Sequence, residues 1–175
     1  LKKNIYENIT TERKHTLHSK LGQLFIASLE HGKSQNSIFE IATQLYLGKP
    51  KLNDKSNFKY CTIIYNAGSK AAESGAFELA YQYFKQALSF STELDWGSSN
   101  YQTLHQLYFK AAKTAIINNK LEDAKEYANE IMKFSKTKLE KLRSNEIHLN
   151  ILVNEHQLAK ATDLLLLTLK ELGYP

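Results

Sequence analysis

Cysteine, proline, glycine and arginine are all scarce in this chain, and each scarcity excludes something. The single cysteine, Cys61, rules out an internal disulfide and fits a reducing compartment. Only two prolines and seven glycines occur in 175 residues, which favours helices over strands and tight turns. Pro50 and Pro175 both lie outside the helical stretches. No segment approaches the roughly 18 consecutive apolar residues of a membrane span. The longest candidate, 164–167, is part of an amphipathic helix. The chain opens Leu1-Lys2-Lys3 with neither an initiator Met nor a signal-peptide pattern, and is expected to be a cytoplasmic piece of something longer.

The net charge of +5 raises the question of nucleic acid. Only Arg13 and Arg143 are arginine, the usual reader of phosphates and base edges, and the lysines are spread along the whole chain. The local cluster Lys133, Lys136, Lys138, Lys141 and Arg143, opposed by Glu140, reads as a solvated surface. Neither nucleic-acid binding nor membrane insertion is expected.

Apolar residues recur at helical spacing almost throughout, which predicts an all-α chain of about eight helices. The first spans 11–30, with Leu17, Leu21, Leu24 and Leu29 on one stripe. The second spans about 35–47 and closes at Gly48, carrying Ile38, Ile41, Ala42 and Leu45. A polar loop follows over 49–55, expected to be the most mobile connection. Further helices are predicted over 56–74, 76–92, 96–117, 121–134, 137–153 and 157–172, with Asp95 capping the fifth. Short turns make successive helices antiparallel pairs.

Residues 65–88, YNAGSKAAESGAFELAYQYFKQAL, show the pairing most clearly. Gly68, Ala71 and Ala72 precede the Ser74-Gly75 break, and Ala80 and Ala87 follow it. Small residues at three- and four-residue spacing allow two helix backbones to approach closely. The alanines opening each second helix, Ala80, Ala124 and Ala161, lie 44 and 37 residues apart. Tetratricopeptide repeats recur at about 34 residues, so the units are degenerate. Counting from Cys61, Gly68, Ala80, Phe84 and Ala87 occupy that repeat's small, small, aromatic and small positions. Ile64 stands where Trp is usual, and Thr92 where Pro would end the unit. The chain is therefore expected to be one domain, a short tetratricopeptide-like α-solenoid.

The stretch 17–173 also resembles a specific family. It carries Leu17-His18 with Leu21-Gly22, Ile38-Phe39 before Gln44-Leu45 and Gly48, and Asn66-Ala67-Gly68 followed by Lys70-Ala71. Ala76 to Ala80 with Tyr83 and Ala87, Trp96 with Tyr101 and Leu104, and Ala111-Ala112 with Ala115 continue the series. Lys138-Leu139-Lys141, Ala161, Leu172-Gly173 and Pro175 close it. In this order they resemble the helical-repeat region of large multidomain signalling proteins. Those proteins join a serine/threonine-kinase-like domain, an ATPase, often a GAF sensor and a histidine kinase. The resemblance implies a non-catalytic scaffold between nucleotide-binding and sensor-kinase modules. Lys113, where an acidic residue is common, and Ile116-Ile117 depart from the pattern. A free-standing peptide- or protein-binding regulatory module is the alternative reading.

Several residues invite a chemical reading. Ala27-Ser28-Leu29-Glu30-His31-Gly32-Lys33-Ser34 fits a relaxed phosphate loop. Such a loop must follow a buried strand, and the preceding residues have helical periodicity, so a helix end capped by Gly32 is expected instead. His15 and His18 have the i, i+3 spacing of two metal ligands, without compatible local partners; a structural or surface role is expected. Cys61 lacks an activating base and is expected to be buried and inert. Glu122, Asp123, Glu126 and Glu130 read as one exposed helix face, and Trp96 as an anchor between helix pairs. No catalytic residue, cofactor or metal site is predicted.

What remains is a binding surface. The first helix of each pair lines the concave side of such a solenoid, and positions five and nine of each unit point into it. These are Tyr65 and Ser69, Phe109 and Lys113, and Glu146 and Asn150. The carboxylate clamp of chaperone-binding repeats needs Lys and Asn where Tyr65 and Ser69 stand, so that function is disfavoured. The expected partner is a protein or peptide, or neighbouring domains of the same polypeptide.

Overall fold

The structure, a computed structural model, describes residues 6–30, 37–48, 54–91, 96–97 and 99–174, with backbone alone at 30 and 54–56. Among the described residues it is all-α. Eight helices follow one another: α1 (Thr11–Glu30), α2 (Ile38–Gly48), α3 (Asp54–Glu73), α4 (Phe77–Ser89), α5 (Tyr101–Ile117), α6 (Leu121–Phe134), α7 (Lys138–Asn154) and α8 (Leu158–Glu171). No helix among the described residues is long and apolar enough to cross a membrane.

Each helix packs against the next, and α5 also touches both α3 and α7. Three first-of-pair helices therefore stand side by side, with their partners α4, α6 and α8 behind them. This is the layering of an α-solenoid, in which the core is distributed along the row.

The turns within the last three pairs are built alike. Gly75, Asn119 and His156 have positive φ of 79°, 56° and 58°. The next residue's N–H reaches back across each: Ala76 to the Ala71 carbonyl (2.9 Å), Lys120 to Ala115 (2.8 Å) and Gln157 to Leu152 (2.8 Å). These six-residue closures satisfy carbonyls that a helix end would leave open and reverse the chain in three residues. Ala80, Ala124 and Ala161 each lie five residues beyond the left-handed residue and are buried. Their spacing is thus the spacing of one repeated turn.

Behind each turn, small residues let the helices meet. A Cβ added to Gly68 would lie 2.8 Å from Phe84 Cε1, and Ala67, Ala71, Ala80 and Ala87 are buried in the same core as that ring. In the first pair, a Cβ on Gly48 would fall 2.5 Å from the Ser19 nitrogen, and one on Gly22 3.0 Å from Leu45 Cδ2.

Several helix limits differ from expectation: α2 starts at Ile38 rather than about 35, and α4 ends at Ser89 rather than about 92. The fifth helix begins at Tyr101, and Trp96 lies before it. Gly97, a poor helix former, has a carbonyl that accepts from both Asn100 (3.3 Å) and Tyr101 (3.1 Å). Trp96 instead stacks on Phe134, with centroids 4.4 Å apart and planes 7° from parallel, and faces Tyr108 and the edge of Tyr101. It thus joins α5 to α6 within one pair, from outside the helix, rather than anchoring one pair to the next. Asp95 and Thr92 lie outside the described residues. Thr137 precedes α7 as its cap, in a box where Thr137 Oγ1 accepts from Glu140 N–H and Glu140 accepts from Thr137 N–H. Asp54 and Lys55 belong to α3 rather than to the polar loop, whose residues 49–53 lie outside the described residues.

The leucine stripe of α1 is also a correction. Leu17, Leu21, Leu24 and Leu29 are exposed, and the covered side is the one carrying Gly22 and Ile26. Packing of α1 on α2 selects the face that permits closest approach, so the larger side chains turn outward. α8 likewise leaves Leu158, Leu165, Leu166 and Leu167 exposed and buries Ala161 and Thr168.

Candidate functional site

Side-by-side packing of α3, α5 and α7 places their outward faces on one surface. Five of the six predicted groove residues take part in two sets of contacts there, one at each junction of α5 with its neighbours. Tyr65 Oη donates to Gln106 Oε1 at 3.2 Å, and Lys110 Nζ donates to Ser69 Oγ at 2.9 Å. The same ammonium sits 4.9 Å from the centroid of the Tyr65 ring. Across the next junction Lys113 pairs with Glu146 at 3.0 Å and lies 5.0 Å over Phe109, whose ring also carries the Arg143 guanidinium at 5.6 Å. The sixth residue, Asn150, is exposed further along α7, where its carbonyl accepts from Asn154 Nδ2 at 2.8 Å.

Positions five and nine alone missed Gln106, Lys110 and Arg143. Residues three and four apart share a helix face, so Gln106, Phe109, Lys110 and Lys113 form one stripe of α5. Arg143 stands one turn before Glu146. The signal was present in the spacing.

At one end of this surface lies a cleft of about 170 Å³ between the N-terminal turns of α5 and α7, with Tyr101, His105, Gln106, Glu140 and Arg143 in its walls. Tyr101 Oη donates to Glu140 Oε2 at 2.8 Å, and the same oxygen accepts from the N–H of Lys136 (2.8 Å) and Thr137 (3.0 Å). Burial pushes the Glu140 carboxyl up, but these hydrogen bonds outweigh it and hold the group below its usual range. Glu140 is committed to closing the helix end. His105 is buried, and its Nε2 has no hydrogen-bond partner among the described residues. Burial pulls its pKa down; Glu140 opposes that and Arg143 adds to it. A neutral imidazole results.

The other candidate chemistry resolves into structure. His18 uses both ring nitrogens, with Tyr6 Oη at 2.7 Å from Nε2 and Gln44 Oε1 at 2.6 Å from Nδ1, so it ties α1 to α2. Among the described residues no group of three or more His, Cys, Asp or Glu is arranged to hold a metal. Ala27 to Glu30 form the last turn of α1, preceded by helix and not strand; His31, Gly32, Lys33 and Ser34 lie outside the described residues. Cys61 is fully buried in α3, and burial pushes its thiol up to about 12.

The acidic run is not one free face. Asp123 accepts from Lys85 Nζ at 2.7 Å and from Tyr81 Oη, joining α4 to α6, and these hydrogen bonds lower its pKa. The basic cluster is divided too. Lys133 pairs with Glu130 at 3.6 Å, Lys136 lies 4.0 Å over Tyr101, and Arg143 alone of the cluster reaches Phe109.

No protein-family model matches this chain, and comparison with curated proteins and with solved structures finds no significant match.

Proposed function

We propose that this chain is a non-catalytic helical-repeat scaffold whose α3–α5–α7 face binds a polypeptide. The observation that carries the reading is the ladder of Tyr65, Ser69, Lys110, Phe109, Lys113 and Glu146 across three neighbouring helices. Aromatic rings held under cations form a surface that is part apolar, part charged and already ordered. Those properties suit recognition of an extended or helical segment at low entropic cost. Two carboxylates with shifted pKa are committed to structure, Glu140 to a helix cap and Asp123 to Lys85.

In its cellular setting the scaffold joins domains of a multidomain signalling ATPase or kinase in the cytoplasm. The support is the ordered series of residues from Leu17 to Gly173. Exposed leucines on α1 and on α8 add two further surfaces for contacts with neighbouring domains.

Selection of a random dodecapeptide display library on the purified chain tests the groove. Enriched peptides are expected to lose binding to Ser69→Trp and Asn150→Trp, which fill the surface, and to keep it with Lys160→Gln on α8. Enriched peptides that bind both tryptophan variants as well as the unaltered chain would contradict the reading.

A further inference from the structure

Three cations on the α3–α5–α7 face each rest on an aromatic ring: Lys110 on Tyr65, and Lys113 and Arg143 on Phe109. Lys113 has a carboxylate partner there, Glu146. Among the described residues no carboxylate pairs with Lys110, which is held instead by the neutral Ser69 hydroxyl, or with Arg143. Glu140, which shares a cleft wall with Arg143, already accepts from Tyr101 and two backbone N–H groups. The surface thus carries an uncompensated positive charge at two ordered points, with the Phe109 ring beside them.

From this charge pattern we infer that the groove's occupant is an acidic polypeptide segment. Its carboxylates pair with Lys110 and Arg143, and an apolar side chain between them rests against Phe109. The inference depends on the groove reading above and adds the class of ligand. The aromatic rings limit the rotamers of both cations before binding, so pairing immobilises less free side chain than a surface lysine would. A bidentate carboxylate contact suits Arg143, whose planar fork matches it.

The test uses the full chain and three fluorescein-labelled decapeptides, read by anisotropy at low and high salt. The first alternates Glu with Leu, the second replaces each Glu with Gln, and the third replaces each with Lys. The Glu peptide is expected to bind about tenfold more tightly than the Gln peptide, with the preference weakened by salt. The double substitution Lys110→Gln, Arg143→Gln is expected to abolish that preference. Lys120→Gln, Lys160→Gln removes the same charge from exposed sites off the groove and is expected to preserve it. Equal loss in the two double variants would overturn the proposal, since net charge alone would then explain binding. Equal binding of the Glu and Gln peptides, lost in Ser69→Trp, would overturn the acidic preference and leave the groove reading intact. Failure of all three peptides to bind would overturn the acidic ligand, with the library selection then deciding the groove by itself.

Discussion

Gly68 and Phe84 stand so close that an added Cβ would lie 2.8 Å from Cε1 and 2.9 Å from Cδ1 of the fully buried ring. Gly68→Ala must therefore push the ring or spread α3 from α4. Overpacking of this kind costs about 1–3 kcal/mol, against about 1 kcal/mol gained from replacing glycine within a helix. A net loss of stability is expected in chemical denaturation. Adding Phe84→Leu to Gly68→Ala is expected to cost less than the two single changes summed, because the smaller side chain removes the clash.

His156 holds φ of +58° at the α7–α8 turn, where the equivalent residue of the α3–α4 turn is Gly75. A side chain in that region costs about 1 kcal/mol relative to glycine. His156→Gly is expected to raise the melting temperature by a few degrees, and Ala76→Gly, just beyond the left-handed position, to leave it unchanged or lower it. Calorimetry of the two variants checks this. A lower melting temperature for His156→Gly would show that the imidazole matters more than the backbone.

Stability should fall in two stages on acidification. His105 and His148 have pKa values lowered by burial. Their unfolded forms take up protons first, so their contribution is complete above pH about 6.5 and is lost as pH falls below it. Asp123 and Glu140 are also held low. Their contribution is present above the ordinary carboxylate range, near pH about 4, and is lost only beneath it. Thermal melts across this range are expected to show both declines, and His105→Leu is expected to reduce the first and leave the second. An unchanged upper stage in that variant would contradict the assignment.

Cys61 is fully buried and burial pushes its thiol up to about 12. Little thiolate exists at neutral pH, and none of it is accessible. Ellman's reagent is expected to react with the chain only as fast as the α3 region opens, accelerating steeply across the denaturant transition. Immediate stoichiometric reaction in native buffer would place the thiol at the surface.

Turn chemistry and helix pairing were legible because each rests on a local pattern. Gly75 announces its own turn, and the spacing of Ala80, Ala124 and Ala161 already carried the period of the three closures. Asn119 and His156 were harder to read as left-handed positions, because their side chains permit the conformation without requiring it. The cap formed by Ser37 and Glu40, with reciprocal contacts of 3.3 and 2.7 Å, starts α2 at Ile38 rather than near 35, and its S-x-x-E signature is the signal the expected span overlooked. The leucines of α1 misled for a different reason. Periodicity identifies a stripe, but which stripe is covered depends on the neighbour, and here the small residues Gly22 and Gly48 set the approach. The contacts on the α3–α5–α7 face were half legible. Repeat register places Tyr65, Ser69, Phe109, Lys113 and Glu146 on that face, whereas the seating of Lys110 and Arg143 on rings depends on which helices lie side by side.

The most direct test of the account is the NMR footprint of a bound peptide, either one selected from the display library or the alternating Glu–Leu decapeptide. Chemical-shift changes are predicted to centre on Tyr65, Ser69, Phe109, Lys110, Lys113, Arg143 and Glu146 of α3, α5 and α7. A footprint centred on α4, α6 and α8, with those seven residues unmoved, would contradict it.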